Sequence, residues 1–140
     1  MKILFLCTGN SCRSQMAEAI LNQLGRGRFE AFSAGSKPTG FVHPFAIASL
    51  QEKGYSGENL RSKNLEEFRG QNFDLVITVC DSAQEACPSW PGATMIHWNF
   101  TDPAEALGST EDKMRVFRKV FDEIESTIRN FIAQKETEAK

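Results

Sequence analysis

The sequence predicts an α/β fold: a small four-stranded parallel sheet in the order 2-1-3-4 with helices on both faces. Two continuous apolar runs, Lys2–Cys7 and Asn72–Cys80, carry that expectation, because a run without polar alternation is a strand covered on both sides. Between such runs, apolar residues recur in steps of three and four, the spacing of an amphipathic helix. Strand and helix in regular alternation build crossover units, and crossover units build parallel sheets.

Taken in order, Lys2–Cys7 is the first strand. Ala17, Ile20, Leu21 and Leu24 follow at i, i+3, i+4 and i+7, and Gly25 offers a stop. Phe29–Ala34 is a shorter β-rich stretch. Pro44 suits the first turn of a helix beginning at His43-Pro44-Phe45, and Asn64 with Glu67 forms a capping pair ahead of Phe68. Asn72–Cys80 and Thr94–Phe100 supply the remaining strands. From Ser109 onward Met114, Phe117, Phe121, Ile124, Ile128 and Phe131 mark one buried helical face, and the polar tail from Gln134 is expected to fray.

With 140 residues, 41% hydrophobic and 24% charged, the chain has the size of one compact domain, expected over residues 1–140. A formal net charge of −2, with no stripe of Lys or Arg, argues against a nucleic-acid partner. Ile3–Leu6 falls far short of the roughly 20 apolar residues that span a bilayer, so a soluble, cytoplasmic protein with no membrane partner is expected. In that reducing compartment, four cysteines point to metal ligands or redox-active thiols rather than to a disulfide framework.

Ligands of an open parallel sheet bind beyond the carboxyl ends of its strands, where the strand order reverses. Here that point lies between the first and third strands, which end on Cys7 and Cys80. Adjacent strands lie about 4.8 Å apart and a disulfide wants Cα atoms about 5.5 Å apart, so the topology brings two remote thiols near bonding reach. The fourth strand leads to Asp102 on the same rim. After Cys7, residues Thr8, Gly9, Asn10, Ser11 and Cys12 present successive backbone N–H groups as the loop turns into a helix N-terminus, with Gly9 expected to allow the bend. That is a cradle for an oxyanion. Arg13 can fold back and grip two oxygens in a fork that lysine lacks. The same positive surroundings favour the thiolate of Cys7, to which Ser14 can donate a hydrogen bond, and make Cys7 a nucleophile aimed at the bound anion. Cys12 is read as packing or an N–H-bearing spacer, and His43 and His97 as structural.

The Cys-x5-Arg-Ser arrangement after a buried strand resembles the low-molecular-weight tyrosine phosphatase fold, and within it the thioredoxin-coupled arsenate reductases. The matching pieces are Cys7–Glu18, Ser33–Gly35, His43–Ile47, Val76–Pro88 and His97–Ala104, nearly the whole chain. The loop signature is shared with the phosphatases, whereas the loop together with a Cys-x6-Cys pair and a downstream Asp-Pro matches the reductases. In the phosphatase branch tyrosines follow the Asp-Pro; here Ala104 and Glu105 follow.

The resemblance implies that arsenate, with phosphate or sulfate as mimics, is attacked by Cys7 while held by the cradle and Arg13, with Asp102 as general acid. Cys80 and Cys87 would form the redox pair, with thioredoxin as reductant or glutaredoxin and glutathione in its place, and with no cofactor or metal. Asn10 would brace the loop. The polar Asp81–Ala86 segment between the two thiols suits a short helix that can melt. Two alternatives stand beside this: a phosphatase acting through a Cys7 phosphoenzyme, and a non-enzymatic thiol module binding metal or arsenite through Cys7, Cys80 and Cys87. Some of the reductases hold a potassium ion with residues matching Asn10, Glu18 and Ser33 and an aspartate from the segment that here reads Arg61–Leu65. No aspartate lies there. Lys63 either replaces the ion's charge or is a solvated surface charge.

Overall fold

The computed structural model describes residues 1–81 and 87–138. Strands β1 (Lys2–Cys7), β2 (Glu30–Gly35), β3 (Leu75–Thr78) and β4 (Met95–His97) form one sheet in the order β2-β1-β3-β4, every pairing parallel, as the alternation predicts. Among the described residues, three α-helices, α1 (Arg13–Leu24), α2 (Pro44–Glu52) and α3 (Thr110–Glu138), join the strands or follow them. No helix among the described residues is long and apolar enough to cross a membrane.

The pleat of β1 sorts the core into two layers. Ile3, Phe5 and Cys7 face α1, α2 and α3, packing with Met16, Ile20, Leu50, Phe117, Phe121 and Ile124. Leu4 and Leu6 face the opposite way, into a cluster with Ala34, Val76, Leu65, Phe68 and Trp90. Among the described residues, the helical cover on this second face is a single 3-10 turn, Leu65–Phe68. Ile3 to Leu6 are wholly buried, and each such side chain contributes about 1.5–3 kcal/mol by leaving water. Substituting any one by a charge would break the sheet's centre.

Several element ends differ from expectation. β2 begins at Glu30 because the Phe29 N–H turns back to the Gly25 carbonyl at 2.9 Å. β3 covers only Leu75–Thr78 of the longer apolar run, although Asp74 and Val79 each still donate to β1 carbonyls. β4 shrinks to three exposed residues at the sheet's edge. Asn64 caps the 3-10 turn through Glu66 N–H at 3.0 Å, but Glu67 does not complete a capping pair; its carboxylate takes both arms of Arg61, at 3.0 and 2.6 Å. Most of the tail expected to fray is helical, and its last two residues lie outside the described residues. α3 runs to Glu138, tied by Lys135–Glu138 at 3.2 Å and by an ion pair between Arg28 and Glu136. The short helix expected after Asp81 lies outside the described residues.

Candidate active site

Cys7 ends β1 in register with Gly35 of β2, and the chain then curls through Thr8–Cys12 into α1. Gly35 is required by close approach: a β-carbon there would lie 2.5 Å from the Thr8 carbonyl oxygen and 3.0 Å from Asn10 N. The strand end thus presses directly on the loop. The bend falls on Asn10, at φ 47°, rather than on Gly9, which takes no left-handed conformation. Asparagine tolerates that region better than most residues with a β-carbon.

The N-terminus of α1 has no side-chain cap and no acidic residue in its first turn. Its leading N–H donors and the positive end of its dipole are therefore offered to an anion. Cys7, Gly9, Asn10, Ser11, Cys12, Arg13 and Asp102 line a cavity of about 190 Å³ at this end of the sheet. Of the cradle residues expected, Thr8 is the exception: it is not part of the lining, and its carbonyl accepts from Lys37 N–H at 2.9 Å.

Cys7 is 2% exposed and forms no disulfide, and its sulfur takes polar contacts from the loop and from α1. Asn10 N–H donates to Sγ at 3.2 Å, and Ser14 Oγ lies 2.8 Å away. Asn10 Nδ2 donates to the same Ser14 oxygen at 2.8 Å, which leaves the single serine proton for the sulfur. The amide of Asn10 is itself oriented, since its Oδ1 accepts from Lys63 N–H at 2.7 Å and from Gln15 Nε2 at 2.9 Å. Nothing in the sequence pattern singled out Gln15. Cys12 is also buried, and burial pushes its thiol up to about 12, so it stays protonated and inert.

Arg13 is 3% exposed; Nη1 donates to the Phe100 carbonyl at 3.1 Å and Nη2 lies 3.6 Å from Asp102 Oδ2. Asp102 caps a 3-10 turn, Pro103–Glu105, by accepting from Ala104 N–H at 3.0 Å. One carboxylate oxygen is held by the turn and the other faces the arginine. Thr39, Phe41 and His43 close the remaining wall, a contribution that sequence reasoning missed. His43 does have the structural role expected, capping α2 through Phe45 N–H at 3.1 Å and packing on Phe117; burial holds its pKa below the usual value.

The reading of Lys63 as a solvated surface charge is overturned. It is 7% exposed, its Nζ donates to the Arg61 carbonyl at 2.7 Å and lies 3.7 Å from Glu18, which also accepts from Ser33 Oγ at 2.7 Å. Burial pushes Glu18 up and Lys63 down, each toward its neutral form, and their mutual attraction opposes both.

Cys80 and Cys87 form a disulfide with Cα atoms 6.0 Å apart. Of the two pairings that the strand order and the resemblance brought forward, Cys7–Cys80 and Cys80–Cys87, the molecule carries the second, and Cys7 remains free beside its cradle.

The family model for the low molecular weight phosphotyrosine protein phosphatases matches residues 2–140. The chain belongs to that family. Within it, the chain is 42% identical over 130 residues to an arsenate reductase of Halalkalibacterium halodurans, covering 92% of this chain and 93% of the relative. A solved arsenate reductase in its phosphate-binding state superposes with a TM-score of 0.80 at 33% identity, over 95% of this chain and 97% of that one. A thioredoxin-dependent arsenate reductase from Corynebacterium glutamicum does so with a TM-score of 0.74 at 27% identity, over 98% of this chain and 62% of the other. The family is described by a phosphatase reaction. The Cys80–Cys87 disulfide is what a phosphatase reaction does not use.

Proposed function

We propose that this chain, acting as one domain over residues 1–140, reduces arsenate to arsenite by a three-thiol relay. The observation that carries the reading is the coexistence of a free Cys7 in an anion cradle with a Cys80–Cys87 disulfide at the end of the neighbouring strand. The family membership and the arsenate reductase relatives support it.

In the proposed sequence the Cys7 thiolate attacks arsenic, held by the N–H groups of the loop and by Arg13, and an oxygen departs as water with a proton from Asp102. Cys80 attacks the Cys7 sulfur. The S–As bond breaks with its electron pair on arsenic, which leaves as arsenite, and a Cys7–Cys80 disulfide remains. Cys87 then attacks the Cys80 sulfur and frees Cys7 as thiolate, leaving Cys80–Cys87. The two electrons gained by arsenic come from the thiols, and a dithiol of the thioredoxin class returns them. The cytoplasm is the compartment whose reductants such a cycle needs.

Arsenate-dependent NADPH oxidation, with thioredoxin and glutaredoxin systems supplied separately, tests the reading. Turnover with the thioredoxin system alone is expected. Sustained aryl-phosphate hydrolysis with no arsenate-dependent oxidation would instead assign the site to phosphate ester chemistry, which needs only Cys7, Arg13 and Asp102.

A further inference from the structure

The Cys80–Cys87 pair has a third neighbour. His97 lies beside it so closely that one ligand-capable atom from each of the three residues falls within 4.8 Å of the other two. The sheet sets this arrangement: Thr78 of β3 stands in register with His97 of β4, and Cys80 follows two residues after Thr78. The Thr78 hydroxyl lies 3.5 Å from the Ile96 carbonyl, to which it can only donate, and 2.6 Å from His97 Nδ1. The short contact at Nδ1 orients the ring, with the proton on either atom according to the tautomer; in the tautomer that donates from Nδ1, Nε2 carries the lone pair. Its contact with Asn99 Oδ1 is long, 3.4 Å. A histidine tied through Nδ1–H to an oxygen is oriented as metal-binding histidines are.

We propose that, once the disulfide is opened, Cys80, Cys87 and His97 form a site for a thiophilic divalent cation, zinc or cadmium by chemistry, with water as fourth ligand. Two thiolates and an imidazole are the donor set that such ions take in tetrahedral sites. Donor atoms around zinc stand about 3.3–3.8 Å apart, given bonds of about 2.3 Å to sulfur and 2.0 Å to nitrogen. Each atom already lies within 4.8 Å of the others, so His97 closes by no more than about 1.3 Å while the two sulfurs separate. The site belongs to the reduced protein alone. A phosphine delivers an electron pair to the disulfide, the S–S bond breaks, water supplies the oxygen that the phosphine acquires, and its two protons go to the thiols; the cation then displaces them to solvent. Cys7 takes no part. If the relay operates, a bound cation withdraws Cys80 and Cys87 from it; that consequence rests on the proposed function, whereas the binding does not.

Cobalt(II) titrated anaerobically into phosphine-reduced, desalted protein reads the site directly. One equivalent should bind with a thiolate-to-cobalt charge-transfer band, and the oxidised protein should give none. His97 is exposed, so His97→Ala leaves the fold intact and should weaken binding at least about tenfold. Thr78→Val should weaken it through the lost orientation of the ring, and Cys7→Ser should bind as the unchanged protein does. Absence of the band in the reduced protein, full affinity in His97→Ala, or loss of binding in Cys7→Ser would each overturn the proposal. Cadmium inhibition of arsenate turnover is measured separately, so a protein that binds cobalt(II) but does not reduce arsenate would reject the relay and leave the site standing.

Discussion

Ser14 Oγ stands 2.8 Å from Cys7 Sγ while accepting from Asn10 Nδ2 at the same distance, so its proton is available to the nucleophile once Cys7 is a thiolate. Ser14→Ala removes a donor to the thiolate and strands a buried amide N–H of Asn10. A stability loss of about 1–3 kcal/mol is expected from the unpaired donor, measured by urea unfolding. Alkylation of Cys7 by iodoacetamide at neutral pH should slow several-fold, because the thiolate is the reacting form. An unchanged alkylation rate would mean that the serine is only a helix residue.

Arg13→Lys keeps the charge but removes the planar fork that reaches the Phe100 carbonyl and Asp102 together. A single ammonium cannot hold two oxygens of the anion in fixed geometry. The expected result is a higher KM and a lower kcat together, with kcat/KM for arsenate falling on the order of a hundredfold. Steady-state kinetics with the thioredoxin system give both parameters. Unchanged kinetics would place Arg13 away from the anion.

Cys87→Ser separates a relay from a phosphatase whose spare thiols only guard Cys7. Neither the attack of Cys7 on arsenate nor the expulsion of arsenite by Cys80 needs the third thiol, so one turnover should survive. The variant should then stall as a Cys7–Cys80 disulfide, with about one arsenite released per protein, since both sulfurs are buried and exchange needs an accessible one. Cys80→Ser should stop earlier, before arsenite leaves. Quenched arsenite counting with peptide mapping of the disulfide reads each stage. Full multiple turnover by Cys87→Ser would point to a two-thiol mechanism.

Lys63 sits where its ammonium neutralises Glu18, so activity should not depend on potassium. A several-fold activation by potassium over sodium at constant ionic strength would reject this. Lys63→Met leaves Glu18 buried without its cation and should cost about 3–5 kcal/mol. The pH dependence has a definite sign. Burial raises the folded pKa of Glu18 above its ordinary value of 4.5, so the folded state holds the proton longer than the unfolded chain does. Its favourable contribution is therefore complete below 4.5 and is lost as pH rises through the raised folded value. Removing the opposing attraction of Lys63 extends that window upward. Urea midpoints measured from pH 4 to 8 should fall more steeply with pH in Lys63→Met than in the unchanged protein.

What the sequence determined by itself is what depends on neighbours along the chain. The apolar run Ile3–Leu6 can only be a strand covered on both faces, and the three-and-four spacing from Phe117 to Phe131 can only be one buried helical side, because pleat and helix periods are local properties. The loop from Cys7 to Ser14 was legible for the same reason: thiol, N–H cradle, guanidinium and hydroxyl lie within eight residues. Their contacts across the fold were not. Which residue bends the loop was decided by the pressure of Gly35 on Thr8 and Asn10, and the Ser14 oxygen is held by an amide that Lys63 and Gln15 orient. The wall of Thr39, Phe41 and His43, the burial of Lys63 against Glu18, and the meeting of His97 with Cys80 and Cys87 join segments far apart in the chain. No periodicity encodes such meetings, because the packing of α2, the bridge from Gly35 to Asn64 and the register of β3 on β4 bring those side chains together.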